Sequence, residues 1–389
     1  MIYDFQYYNP TKIYFGKNSL TSLNDELKNY GANILLVYGF SSIKKSGLYD
    51  KVIQILKNAN KNIIELSGVM PNPTFKKMIE GAELVKRHSI DLILAVGGGS
   101  VIDISKGISA AAYCKTDPWE KFWIKHESVD TKITPIASIL TMVGTASEMN
   151  GGSVITNEEL TIKTGNVFSQ ELYPKFSILN PEYTFTVPEY QMVSGIADTM
   201  LHLLEQYFSG EDDNTSDYLI EGLLRSLFHS TPIAVKNPLD YESRSNIMWI
   251  ATTALNNLVG LSKAQDWKVH QIEHQLSAYT DCAHGMGLAT IAIPYYRYIY
   301  KYGLQKFKRF AINVFNVNPT TKTDDAIALE GLDLLSKFIK DSKMVTTLKE
   351  LGATPEMLPK IANSVSDRGG AYKILNNDEI LQILQNCYE

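Results

Sequence analysis

The sequence predicts a two-part fold: an α/β N-terminal domain on a parallel sheet, followed by an all-α C-terminal domain. Two textures carry this expectation. Up to about residue 187, short β-branched or apolar runs alternate with helical patterns, as parallel strands covered on both faces do. After Pro188 that alternation stops and long segments of 3.6-residue periodicity take over. Length agrees, since 389 residues exceed the ~250–300 that one core usually serves. The domains are expected at 1–188 and 189–389.

In chain order, "NILLVYG", "KNIIEL", "DLILAV", "TPIASIL" and "KFSILN" read as strands, with helices over 74–88 and 100–112. The second half reads as helices over 189–208, 216–228, 241–259 and 326–340, broken by loops such as "SGEDDNTSD" and "NVNPTTKTD".

Composition narrows the function classes. Hydrophobic residues make up 44% and charged residues 20%, as in ordinary globular proteins. The net charge of -5 comes from 37 basic and 42 acidic residues with no polybasic run, which argues against a nucleic-acid partner. The start "MIYDFQYYNP" lacks a leader pattern, and the apolar runs fall far short of the ~18 residues that span a bilayer. A cytoplasmic protein with no membrane partner is expected. Cys114, Cys282 and Cys387 lie far apart, so neither a disulfide frame nor a thiolate cluster is expected. A bound metal would sit on nitrogen and oxygen.

The first chemical motif is "LAVGGGSVIDISK", where a buried-type strand runs into Gly97-Gly98-Gly99-Ser100 and then a helix. Such a turn suits either close backbone packing with Ser100 as N-cap, or a cradle for the pyrophosphate of a dinucleotide. Asp103 is close enough to the turn to reach a bound ligand. The earlier strand "NILLVYG" ends at Gly39, where dinucleotide folds often carry an acid for the ribose hydroxyls. Here Gly39, Ser41 and Ser42 stand instead, with Lys44 and Lys45 beyond, a set that tolerates a 2′-phosphate.

The second motif is "GIADTMLHLLEQY", which places Asp198 and His202 at i and i+4, on one face of a helix. Of only seven histidines, three more fall in "DWKVHQIEHQLSAYTDCAHG": His270 and His274 again at i and i+4, and His284 at a glycine-bearing turn. One carboxylate with imidazoles suits Zn²⁺ or Fe²⁺ rather than Ca²⁺ or Mg²⁺. Spacing does not say which histidine of the second block stays out of a four-ligand site.

"GVMPNPT", "GGGSVIDISK", "LTMVGTASEMNGG", the Asp198/His202 helix and the histidine block together resemble the iron-containing (group III) alcohol dehydrogenases, in the butanol dehydrogenase and NADPH-dependent aldehyde reductase branch. The resemblance runs over nearly the whole chain. It implies a Rossmann-like dinucleotide-binding N-terminal domain, an all-helical metal-binding C-terminal domain, and a homodimer. Carried over residue by residue, it implies Asp198, His202, His270 and His284 as metal ligands and His274 as the unligated histidine beside the substrate. It assigns Gly98, Gly99 and Ser100 to the pyrophosphate, Asn72, Thr141, Thr145 and Tyr183 to the adenine end, and Asp103, Asn150 and Lys163 to the ribose and nicotinamide. Gly39, Ser41 and Ser42 match the region that holds the 2′-phosphate in the NADPH-using branch, so NADP(H) is expected over NAD(H). Two departures stand out: Ala146 replaces a usual glycine, and Phe40 and Ser41 replace glycines after the early strand.

The resemblance implies hydride transfer between nicotinamide and an aldehyde or primary alcohol whose oxygen the metal polarises. Met149, Val154, Leu261 and Trp267 suggest short aliphatic, butanol-like substrates. The alternatives on such a fold are a sugar-phosphate lyase or cyclase, a polyol dehydrogenase, and a metal-dependent hydrolase.

Overall fold

The computed structural model describes residues 3–365, 370 and 372–389. The chain divides into two compact units, Tyr8–Val187 and Pro188–Glu389, the latter joined by the first residues up to Tyr7.

The first unit is built on strands β1 (Lys12–Phe15), β2 (Asn33–Tyr38), β3 (Asn62–Leu66), β4 (Leu92–Gly97), β5 (Ile136–Leu140) and β8 (Phe176–Leu179). They form one all-parallel sheet in the order β1-β8-β5-β4-β2-β3. Every residue of β4 and β5 is buried, which is why β4 reads as a continuous apolar run and β5 as one broken only by Ser138, whose hydroxyl donates to Ser177 Oγ. The edge strands β1 and β3 are partly exposed. Helices α1 (Leu48–Asn58), α2 (Phe75–Arg87) and α3 (Gly99–Ala111) make the crossovers. Thr74 caps α2 by accepting from the Lys77 N–H, so the expected start at residue 74 is the cap.

Three strands escaped the sequence reading. β1 is a four-residue edge, too short to show a pattern. β6 (Gly152–Asn157) and β7 (Ile162–Val167) form a separate antiparallel hairpin. Its turn carries left-handed Thr161 (φ 54°) in place of the glycine or asparagine that usually announces a hairpin.

In the second unit the described helices of seven or more residues are α4 (Glu189–Tyr207), α5 (Thr215–Lys236), α6 (Tyr241–Ala254), α7 (Lys268–Thr280), α8 (His284–Ile299), α9 (Leu304–Phe315), α10 (Asp324–Asp341), α11 (Leu358–Ser364) and α12 (Asn377–Asn386). From Met192 to Tyr207 every residue of α4 is buried, so it is the central helix, packed on all sides. α5 runs on through Pro232 to Lys236, past the expected end at 228, and α6 stops at Ala254 rather than 259. No described helix is long and apolar enough to cross a membrane.

Candidate metal centre and nucleotide turn

Asp198 and His202 lie one turn apart on α4, both side chains about 5% exposed, with His202 Nε2 3.2 Å from Asp198 Oδ1. The same carboxylate oxygen is 3.6 Å from His270 Nε2 on α7 and 3.6 Å from His284 Nε2 on α8. Three imidazole nitrogens thus converge on one carboxylate oxygen. Four ligands each about 2.1 Å from a tetrahedral ion would stand about 3.4 Å apart, close to these separations. Asp198 Oδ1 and His270 Nε2 are buried and find no hydrogen-bond partner, a cost that a cation between them removes. The donor set suits one divalent ion of the zinc or ferrous type: the ligand atoms of Asp198, His202 and His270 all lie within 4.8 Å of one another, while His284 joins them through Asp198 and groups with Glu273 and His274. His274 sits one turn after His270, half-buried, with its ring 6.5 Å from that of His270 and 5.5 Å from that of His284.

The local sequence explains the convergence. His270 is in the first turn of α7, whose N-cap Trp267 is left-handed (φ 63°) and packs its indole edge-on at 5.2 Å from the His270 ring. The His270 and His202 rings stack at 4.9 Å, 10° from parallel. Left-handed Asp281 (φ 53°) ends α7 and turns the chain back so that His284 opens α8. The turn expected to use glycine therefore uses Asp281. Gly285 serves another purpose: a Cβ there would lie 1.8 Å from the Ser194 carbonyl oxygen, so only glycine lets α8 press against α4 one turn from Asp198. Gly285→Ala is expected to push the two helices apart and to cost about 1–3 kcal/mol. Thermal melting and zinc titration of the variant check this, the expected result being a lower Tm together with weaker zinc binding.

Two buried glutamates that the sequence reading passed over complete the centre. Glu205 Oε2 accepts from His270 Nδ1, and Glu273 Oε2 accepts from His284 Nδ1. Ser277 Oγ donates to Glu273 in turn. The available signal was position: Glu205 continues the Asp198/His202 stripe at i+7, and Glu273 is i+3 from His270. Burial pushes the Asp198 carboxyl up, but the surrounding imidazoles outweigh it and hold the group well below the usual range. Burial likewise disfavours a charged His270, yet Glu205 and Asp198 push its pKa up to about 10. A proton therefore competes with any metal ion for this nitrogen.

In the first unit the chain runs from β2 outward to β3 and then returns to β4 on the other side of β2. The carboxyl ends of β2 and β4 flank that reversal, the position at which open α/β sheets bind their ligands. Gly39, Ser41 and Ser42 follow β2, the two serines exposed, and Lys44 lies over the Tyr38 and Tyr49 rings at 5.2 and 4.7 Å. Gly98 is the N-cap of α3 and offers no side-chain cap, and its carbonyl accepts from the Val101 N–H, so an anion at this helix start would be met by the N–H groups ahead of Val101. Ser100 is not the cap. Its hydroxyl donates to the Pro71 carbonyl, tying Asn72 and its loop to the turn. A Cβ on Gly99 would meet the Thr145 side chain at 2.3 Å, so Thr145 stands against the same turn. Thr141 donates its N–H to Gly97 O, and Tyr183 packs half-buried against the apolar core of this unit.

The residues assigned to the ribose and nicotinamide point inward. The Asp103 carboxylate accepts from Ser147 Oγ and from the Val154 N–H, and Asn150 bonds to Thr145 O, Gly152 N and Lys106 Nζ. Lys163 is buried on β7. Buried Lys106 also donates to Ser147 Oγ and Gly152 O, and burial pulls its pKa down to about 8. Together these groups fasten residues 145–152 to α3. Ala146 within that loop is left-handed (φ 51°), where the resembled family has glycine.

The family model "Iron-containing alcohol dehydrogenase" matches residues 10–181, and "Fe-containing alcohol dehydrogenase family, C-terminal" matches 192–388. The NADH-dependent butanol dehydrogenase A of Clostridium acetobutylicum is 40% identical, over 99% of both chains. The NADPH-dependent aldehyde reductase of Escherichia coli is 31% identical, again over 99% of both. The crystal structure of NADH-dependent butanol dehydrogenase A from Thermotoga maritima superposes with a TM-score of 0.95 at 35% identity, covering 100% of this chain and 99% of that one.

Proposed function

The chain belongs to the iron-containing alcohol dehydrogenase family, and from that premise we propose that it interconverts short-chain aldehydes and primary alcohols with one divalent ion held by Asp198, His202, His270 and His284. The observation that carries the ligand set is the approach of three Nε2 atoms to one Asp198 oxygen. An ion bound there supplies Lewis acidity to a carbonyl or alcohol oxygen, and a nicotinamide nucleotide supplies or takes the hydride.

The chain's own residues do the rest. Asp198 contributes the charged ligand, which the neighbouring imidazoles keep ionised. Trp267 covers the edges of His202 and His270 and keeps water from that side of the centre. His274, half-buried beside His270 and His284, gives or receives the proton of the substrate oxygen. The Gly98–Ser100 turn and the first N–H groups of α3 hold the pyrophosphate. The relatives named above carry alcohol and aldehyde chemistry, which favours this reading over the lyase, polyol and hydrolase alternatives. A homodimer in the cytoplasm belongs to the same proposal, the self-association supported by exposed aromatics near the N-terminus such as Tyr3 and Phe5, each 58% exposed.

The choice of nucleotide follows from Gly39, Ser41 and Ser42. The stretch after β2 has room and hydroxyls and no acid, which supports NADPH; the naming of the 40% identical relative supports NADH. A panel of straight-chain aldehydes and alcohols from two to six carbons, read at the nicotinamide absorbance with each nucleotide, tests the function and the preference together. The expected result is turnover with the aldehydes, a higher kcat/KM for NADPH, and a shift toward NADH in Gly39→Asp, whose carboxylate repels a 2′-phosphate. A wild type that already favours NADH would contradict the reading of this stretch.

A further inference from the structure

We propose that Glu205 is a positioning residue: it fixes which nitrogen of His270 faces the metal and anchors the start of the helix that carries that histidine. The proposal rests on the metal reading above. Glu205 is fully buried on α4, seven residues after Asp198 and three after His202. Its Oε2 accepts from His270 Nδ1 and, at 3.3 Å, from the His270 backbone N–H, while Oε1 accepts from the Val269 N–H at 2.7 Å. Its own carbonyl accepts from the Asp266 N–H at 3.0 Å.

The local reason is visible at α7. That helix starts after left-handed Trp267, which provides no side-chain cap, so its first N–H groups need acceptors from elsewhere. Asp266 Oδ1 takes the Lys268 N–H, and Glu205 takes the next two, those of Val269 and His270, from another helix, where a carboxylate suits a helix N-terminus. The same Glu205 carboxylate accepts the Nδ1–H hydrogen bond, so Nδ1 keeps its proton and Nε2, on the side of Asp198, is the nitrogen left to face a metal ion. One side chain therefore ties α4, with Asp198 and His202, to α7, with His270. Partners of this kind in other metal sites carry about 10–100-fold in metal affinity.

Glu205→Gln separates this role from bulk packing. The amide keeps volume and can keep its oxygen on the Val269 N–H. Its NH₂ then faces Nδ1 and favours the tautomer in which Nδ1 accepts and Nε2 carries the proton, a form that cannot ligate. Zinc affinity at neutral pH is read by competition against a chromophoric chelator, with cooperative melting of the metal-free protein as the check on folding. The expected result is roughly a 10–100-fold loss of affinity in Glu205→Gln, with no further loss when the same change is made in a His270→Ala background. Equal affinity in Glu205→Gln and wild type overturns the proposal. So does an undiminished effect in the His270→Ala background, because Glu205 would then act through general structure. If Glu205→Gln does not melt cooperatively, zinc-loaded wild type decides: a strongly downfield Nδ1 proton resonance, lost in His270→Ala, is expected, and its absence overturns the proposal. Wild type that binds no zinc would defeat the metal reading itself, an outcome distinct from all of these.

Discussion

His202→Ala and His270→Ala are each expected to yield folded protein with far less than one bound metal ion per chain and turnover at background. Each change deletes one of the three imidazoles that meet at Asp198 Oδ1, and the residues left behind are nearly enclosed. Losing a ligand should cost more affinity than the about 10–100-fold carried by partners outside the ligand set. Protons compete for the same nitrogens, most strongly at His270, whose pKa is pushed up to about 10 in the metal-free protein by Glu205 and Asp198 against the effect of burial. Metal affinity of the wild type should therefore fall as pH falls, with protons released on binding. Elemental analysis of the purified variants checks the first expectation, and near-stoichiometric metal in both would sink the ligand assignment.

His274→Ala is expected to behave in the opposite way, keeping its metal and losing turnover. Its ring stands 5.5 Å from that of His284, near enough for a shared solvent or substrate proton, and it is half-buried. A general acid–base group typically contributes about 10²–10⁴-fold, so kcat should fall by that factor while metal content and nucleotide affinity hold. A His274→Ala protein that comes out metal-free, beside a His284→Ala protein that stays loaded, would exchange the roles of the two histidines.

These residues differ in how far the sequence reveals them. Fold class was legible because the buried strands β2, β4 and β5 are nearly continuous apolar runs and α4 carries a complete helical pattern. β1 and the β6/β7 hairpin were not, since a four-residue edge has no period and the hairpin turn uses threonine in the left-handed region. The pairing of Asp198 with His202 is local and follows from helix geometry. The arrival of His270 and His284 at the same oxygen is not local: it depends on Asp281 turning the chain and on Gly285 admitting α8 against α4. Glu205 and Glu273 lie at helical spacing from those ligands, but that spacing alone does not separate a buried carboxylate from a surface charge until the partner histidine is in place. Asp103 was legible from its place beside the glycine turn, whereas the bonds its carboxylate accepts from Ser147 and the Val154 N–H come from far along the chain and were not.

Whether the site on α4, α7 and α8 holds one metal on which aldehyde reduction depends is decided by stripping the protein with a chelator and restoring zinc or ferrous ion stepwise while following butanal-dependent oxidation of NADPH and NADH. Activity should vanish on stripping and return in proportion to added metal, levelling at one ion per chain. Full activity in protein shown to be metal-free would contradict that dependence.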